Sequence, residues 1–221
     1  MSSGIVGYMY ITYTQTVSSN SNEGSVISQV AGANNGGNSG GIVAYAVNGS
    51  IYDNRNDGTI ESEYQAGGIV AYSKSGTITS NVNYGSVIAS TKTPNSNVAA
   101  GGIVGKVSDA GQVSNNIQQG SQVTASCSKS GYTESYAGGI IGCVFYGGTV
   151  KNNKLSSKCY ISSTGTYAYA AGAVGRICEK TGSVSYSKTT FVSNWSSLSK
   201  TYVNANGGTT SWVDSDANYK D

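Results

Sequence analysis

The sequence predicts an all-β chain wound as a parallel β-solenoid (β-helix) of about six three-sided turns, with insertions on one edge. Three observations predict it: a composition that disfavours helices, a recurring glycine-framed apolar segment, and an asparagine that returns at one fixed register. Gly accounts for 31 of 221 residues, and together with the many β-branched residues it makes long helices unfavourable. Charged residues make up only 11%, against about a quarter in ordinary globular chains. A hydrophobic share of 38%, rich in Val, Ile and Tyr, is still enough to build a core.

The first side of each turn is the segment Gly4-Ile5-Val6-Gly7-Tyr8, which returns at Gly41–Tyr45, Gly68–Tyr72, Gly102–Lys106, Gly139–Cys143 and Gly172–Arg176. A second side follows, centred on Val17, Ile51, Ile78, Val113, Val150 and Val184. The third is centred on Val26, Ile60, Val87, Val123, Ile161 and Val192. The cleanest turn steps Ile42, Ile51, Ile60, Ile69, nine residues each time. None of these segments can bury its apolar side alone, so successive turns must stack, with equivalent positions about 4.8 Å apart. Three residues after each second-side centre stand Asn20, Asn54, Asn81, Asn116 and Asn153. Asn tolerates the left-handed backbone of a corner, and stacked amides can hydrogen-bond from turn to turn, so these five are read as a structural ladder. The single Pro, Pro94, avoids every side, as paired strands require. On this reading residues 1–192 are the solenoid, and 193–221 are a capping segment, with Trp195, Leu198, Tyr202 and Trp212, followed by a polar tail.

The period breaks chiefly at one place, since the other two corners never gain more than three residues. The third step is nine residues from Ile60 to Ile69 but 16 from Val26 to Ile42 and 16 from Val87 to Ile103. The insertions therefore gather on one edge, at 27–39, 88–100, 124–137 and 162–171, and are read as loops. Insertions on one face of a solenoid often form its binding face. These carry Tyr132, Tyr136, Tyr167 and Tyr169 among Ser, Thr, Asn and Gly, a chemistry suited to sugar or peptide recognition. Tyr8, Tyr45 and Tyr72 share one register on the first side. If exposed, as Lys106 and Arg176 at the same register suggest, they form an aromatic stripe; if buried, they are core.

Composition excludes several functions. With no His there is no Ser-His-Asp triad and no imidazole ligand. A net charge of +2 with scattered basic residues argues against nucleic acid. No apolar run of about 18 residues is present for a membrane-spanning helix. Asp53, Asp57, Glu61 and Glu63 form the one dense acidic cluster, but Arg55 in its midst opposes a cation, and no metal, cofactor or catalytic residue is predicted. Cys127, Cys143, Cys159 and Cys178 include no C-x-x-C pair, and are buried thiols or disulfides between neighbouring layers. Met1–Tyr8 shows no secretory signal, and the chain begins inside a repeat, as a mature or excised fragment would.

The Gly-Ile-Val-Gly and Gly-Ile-Ile-Gly core, with the Gly-x-Val-x-x-Asn segment behind it, resembles the GLUG-type repeat over most of residues 2–192. The sequence departs from that pattern at Ala44, Ala71 and Ala173. The resemblance implies a bacterial surface or secreted protein, and it carries no catalytic residue onto this chain. The expectation is a non-enzymatic, adhesin-like module at the cell surface that recognises glycan or host protein through its loop edge. The alternative is a structural subunit or spacer that assembles through the solenoid ends into an extracellular filament.

Overall fold

The computed structural model describes residues 1–10, 15–29, 37–94, 96–109, 111–128, 130–156, 158–178, 203–214 and 217–219. They form a parallel β-solenoid without a helix, of about five turns through four sheets of eleven, seven, five and five strands. One turn shows the plan, with strands Asn38–Gly40, Val43–Val47, Ser50–Tyr52, Arg55–Asn56 and Ile60–Ser62. Each pairs in parallel with its equivalent one turn on, so that Val43 meets Val70, Ile51 meets Ile78, Asn56 meets Asn83 and Ile60 meets Val87. The second-side and third-side centres of the sixth turn, Val184 and Val192, lie outside the described residues, as do Trp195, Leu198 and Tyr202.

From the second turn to the fifth the predicted core positions are the observed ones, while in the first turn Ile5 is exposed and Val17 only partly buried. Ile42, Ile51, Ile60 and Ile69 are each at most 1% exposed, and Ile78, Ile103 and Ile140 repeat them in later turns. Each such side chain withdrawn from water contributes about 1.5–3 kcal/mol, which is what offsets the entropy of ordering short strands. The first side meets the second through a two-residue turn, as at Asn48-Gly49 and Ser75-Gly76, with φ between +62° and +88° throughout. Gly at the second position accepts that backbone without strain.

Two local readings are corrected. At the asparagine corner the left-handed residue is the one before the ladder: Ser19, Asp53, Ser80, Asn115 and Asn152 have φ of +53° to +59°. The ladder asparagine instead uses its amide. Asn54 Nδ2 lies 2.9 Å from the carbonyls of Tyr52 and Val17 and 3.0 Å from Asn81 Oδ1. The insertions, read as loops, are largely strand: Val87–Thr91 and Asn97–Gly101, Gln122–Cys127 and Glu134–Gly138, and an unbroken Tyr160–Ala171. Added residues lengthen the sheet because each new backbone group can pair with the neighbouring turn. Among the described residues of the insertions, 29, 37, 92–94, 96, 128 and 130–133 remain outside it, and 30–36 of the first insertion lie outside the described residues. Beyond them, Val203–Asp214 pairs with Tyr160–Ala171, and Ala217–Tyr219 pairs with Val174–Cys178.

A second amide ladder, which the sequence reading missed, runs beside the first. Asn22 Nδ2 donates to Asn56 Oδ1 at 2.7 Å, and Asn56 Nδ2 to Asn83 Oδ1 at 2.7 Å. Asn83 in turn lies 2.7 Å from the amide of Gln118. The signal was present as the repeated Asn-x-Asn of 20–22, 54–56 and 81–83.

Candidate functional site

The edge that carries the insertions holds a groove of about 540 Å³. Its lining is Ile27, Ser28 and Gln29 from one turn, Glu61, Ser62 and Glu63 from the next, and Ile88 and Ser90 from the third. The cause is legible in the spacing: the middle turn has no insertion, so only Glu63 and Tyr64 separate Ile60–Ser62 from Gln65–Gly67. The turns on either side have longer connections. Register sets the side chains in rows across the groove, with Glu61 between Ile27 and Ile88. Ile27 is 52% exposed, an aliphatic surface left in water beside two carboxylates. Of the acidic cluster, Asp57 is neutralised by Arg55, whose Nε and Nη2 donate to it at 2.6 and 2.9 Å. Among the described residues no three metal-ligating side chains come together.

Tyr8, Tyr45 and Tyr72 stand in one register, followed by Lys106, Cys143 and Arg176. The rings are used against one another. Tyr8 stacks on Tyr45 with centroids 5.1 Å apart, Tyr45 meets Tyr72 edge-on at 4.7 Å, and the Lys106 ammonium sits 5.4 Å from Tyr72 and 4.3 Å from Phe145. Stacked rungs leave mainly ring edges and hydroxyls towards solvent, so the stripe offers hydrogen bonds more than open faces for a sugar. Burial and the neighbouring phenols Tyr72 and Tyr8 push the Tyr45 hydroxyl up from its ordinary value.

The tyrosines assigned to the loop edge divide. Tyr132 is exposed in the 128–133 connection, its ring 5.0 Å from that of half-buried Tyr167. Tyr136 and Tyr169, on strands, are 2% and 6% exposed and do not offer a surface. Their rings meet at 5.6 Å, and the Arg176 guanidinium packs against both, 4.2 Å from the Tyr169 ring and 5.3 Å from the Tyr136 ring. Arg176 is 2% exposed, contrary to the exposure its register suggested, because Glu134 comes with it. Arg176 Nη1 donates to Glu134 Oε1 and, at 3.2 Å, to the Tyr136 hydroxyl, while Tyr136 donates to Glu134 Oε2 at 2.5 Å. Burial opposes the Glu134 charge, but hydrogen bonds from Tyr136 and Arg176 outweigh it and hold the carboxyl below its ordinary range. Burial pushes the Tyr169 phenol up to about 12 against the pull of Arg176. This cluster closes a corner of the fold, and its charges are spent on each other.

All four cysteines are thiols. Cys143 and Cys178 bring their sulfurs to 3.6 Å. Burial, then Cys178, raises the Cys143 thiol strongly, and burial pushes Cys159 up to about 11. The chain matches no family model, no curated protein and no solved structure.

Proposed function

We propose that this chain is a non-enzymatic, adhesin-like binding module, of the GLUG-type repeat kind and displayed at the cell surface, that takes a protein partner in the groove of its insertion edge. The observation that supports the reading most is the groove itself, formed where a turn without an insertion lies between two that have one. A concave site with mixed aliphatic and polar lining on a rigid scaffold suits recognition better than the flat faces of the remaining sheets. Among the described residues no aromatic side chain lines the groove, which favours a protein ligand over a pyranose ring there. The test is a screen against immobilised surface proteins and glycans with two variants beside the native chain. Glu61→Trp fills the groove from an outward position, and Tyr45→Ser with Tyr72→Ser cuts the stripe. Loss with Glu61→Trp alone supports the groove. Loss with the tyrosine variant alone moves recognition to the stripe, and no partner at all overturns the reading.

The first turn favours a second reading, a structural subunit stacking into an extracellular filament. Ile5, Tyr8, Tyr10 and Ile27 are all exposed there. The side-chain oxygens of Asn54, Asn81, Asn116 and Asn153 each accept from the preceding turn. A further turn stacked on this face would give the Asn20 oxygen the same partners and cover those apolar side chains. Growth in light scattering with concentration, into fibres of uniform width, would make assembly the function.

A further inference from the structure

We infer that the groove over the second turn is a docking site for a lysine- or arginine-bearing segment of the partner protein, the cationic head between Glu61 and Glu63 and the stem along Ile27 and Ile88. The inference rests on the groove reading above and names its ligand chemistry. The ion pairs of the described residues are Arg55 with Asp57, Lys74 with Asp109, and Arg176 with Glu134. Glu61 and Glu63 take part in none of them, so both carboxylates face the groove without an internal counter-charge. The chain at Gly37 passes close to the base of Glu63: a Cβ on Gly37 would come within 2.9 Å of the Glu63 Cβ.

The surroundings select among cations. Ile27 and Ile88 flank Glu61 in one row, and Ile27 leaves half of its surface in water. An aliphatic strip beside a carboxylate matches a side chain that carries a charge on methylenes, which covers the strip while its head stays with the acid. A bare divalent ion would leave the isoleucines uncovered. An amino sugar would find no aromatic surface to lie on and, beyond the carboxylates, chiefly Gln29 and Ser90 on the exposed rim. Two carboxylates with apolar flanks give charge complementarity, and with it selection of basic over acidic or neutral segments.

The experiment titrates the full chain, followed by amide and methyl NMR, with an end-blocked peptide of alternating Lys and Val, with its Lys→Gln counterpart, and with glucosamine oligomers. The expected result is a shift of Ile27, Glu61 and Ile88 signals by the lysine peptide only. The affinity should fall about tenfold or more in the Glu61→Gln, Glu63→Gln double variant, as loss of charge-assisted contacts implies. Raised salt should weaken binding in the native chain and much less in the variant. Equal binding of the glutamine peptide would overturn the cationic assignment and leave the groove reading intact. Binding of the amino sugar in place of the peptide would overturn the protein source while keeping the charge. Silence of the groove signals to every probe would overturn the inference, and the Glu61→Trp screen then decides the broader reading separately. The charge-to-amide changes keep the shape of outward side chains, and an unchanged far-ultraviolet spectrum checks that the variant is folded.

Discussion

Asn81 and Asn116 are linked twice across adjacent turns: both the backbone N–H and Nδ2 of Asn81 donate to Asn116 Oδ1, at 2.9 and 3.0 Å. Asn81 Oδ1 receives the same pair from Asn54. A side chain 0% exposed thus accepts from both a backbone and an amide donor in the turn before it, and it also donates to the carbonyls of Thr79 and Ile51. Replacing Asn81 by Leu strands these groups in a dry corner, where an unsatisfied polar group costs about 1–3 kcal/mol. The expected loss is about 3 kcal/mol, a fall in melting midpoint of roughly 6–12 °C for a chain of this size. Asn20→Leu, on the first rung, should cost about 1 kcal/mol or less, since its oxygen serves no earlier turn. Thermal melts by circular dichroism decide it, and equal losses would refute the ladder as a stabilising device.

The Glu134–Arg176 pair should behave as a unit. Removing one partner leaves a buried charge uncompensated, at a cost of about 3–5 kcal/mol. Glu134→Gln and Arg176→Met should each destabilise strongly, and the double variant should lose much less than their sum. The pH dependence follows from the lowered Glu134 carboxyl. A group held below its unfolded value contributes stability above that value and loses it as pH falls through the folded one. The gap in urea midpoint between native chain and Glu134→Gln should therefore narrow from pH 7 to pH 3. A gap that widens in acid would show that Glu134 is not stabilised as its charged form.

What was legible in the sequence follows from how local each constraint is. Ile42, Ile51, Ile60 and Ile69 each face the core at the same point of every turn, so their spacing alone displays the period. The first amide ladder is legible because all five of its members are Asn. The second hides because Gln118 and Leu155 replace Asn at its far end, where the shape of the corner is kept but the residue type is not. Arg176 and Glu134 are separated by 42 residues, and the insertion between their turns erases the register that would pair them. The burial of Tyr136 and Tyr169 is hidden for the same reason: their segments have the polar composition of loops but are paired strand. The groove was foreshadowed only by the missing insertion between Ile60 and Ile69, an absence that acquires shape when the neighbouring turns are stacked on it.

Glycine substitutions separate close approach from open space. A Cβ on Gly101 would fall 1.9 Å from the Val104 carbonyl oxygen and 2.6 Å from the Gly142 nitrogen, both backbone atoms that cannot turn aside. Gly101→Ala should cost about 3 kcal/mol or more, at the upper end of overpacking. Gly7, by contrast, has nothing within 4 Å of such a Cβ, and Ala44 and Ala71 already occupy the equivalent place in the next two turns. Gly7→Ala should be neutral or stabilising by about 0.5 kcal/mol, through the lower entropy of the unfolded chain. Paired denaturation curves test both, and a destabilising Gly7→Ala would mean that the first turn is more crowded than its open face indicates.

The thiols of Cys143 and Cys178 should stay reduced in the folded chain despite their 3.6 Å approach. Backbone pairing sets Cys143 opposite Arg176 and Cys178 opposite Phe145, so the two cysteines are diagonal neighbours. Diagonal positions on adjacent strands lie roughly 7–8 Å apart, at or beyond the reach of an unstrained disulfide. Burial also disfavours the Cys143 thiolate, the form that would attack an oxidant. Oxidised glutathione at pH 8 should therefore leave the native chain without a 143–178 cross-link. For Cys159, pushed up to about 11, the thiolate is about one part in a thousand at that pH, so alkylation should be slow until urea opens the fold. Peptide mass mapping after each treatment reads both. A cross-linked peptide two hydrogens lighter, formed without loss of the native spectrum, would show that the two turns slide enough to close the bond.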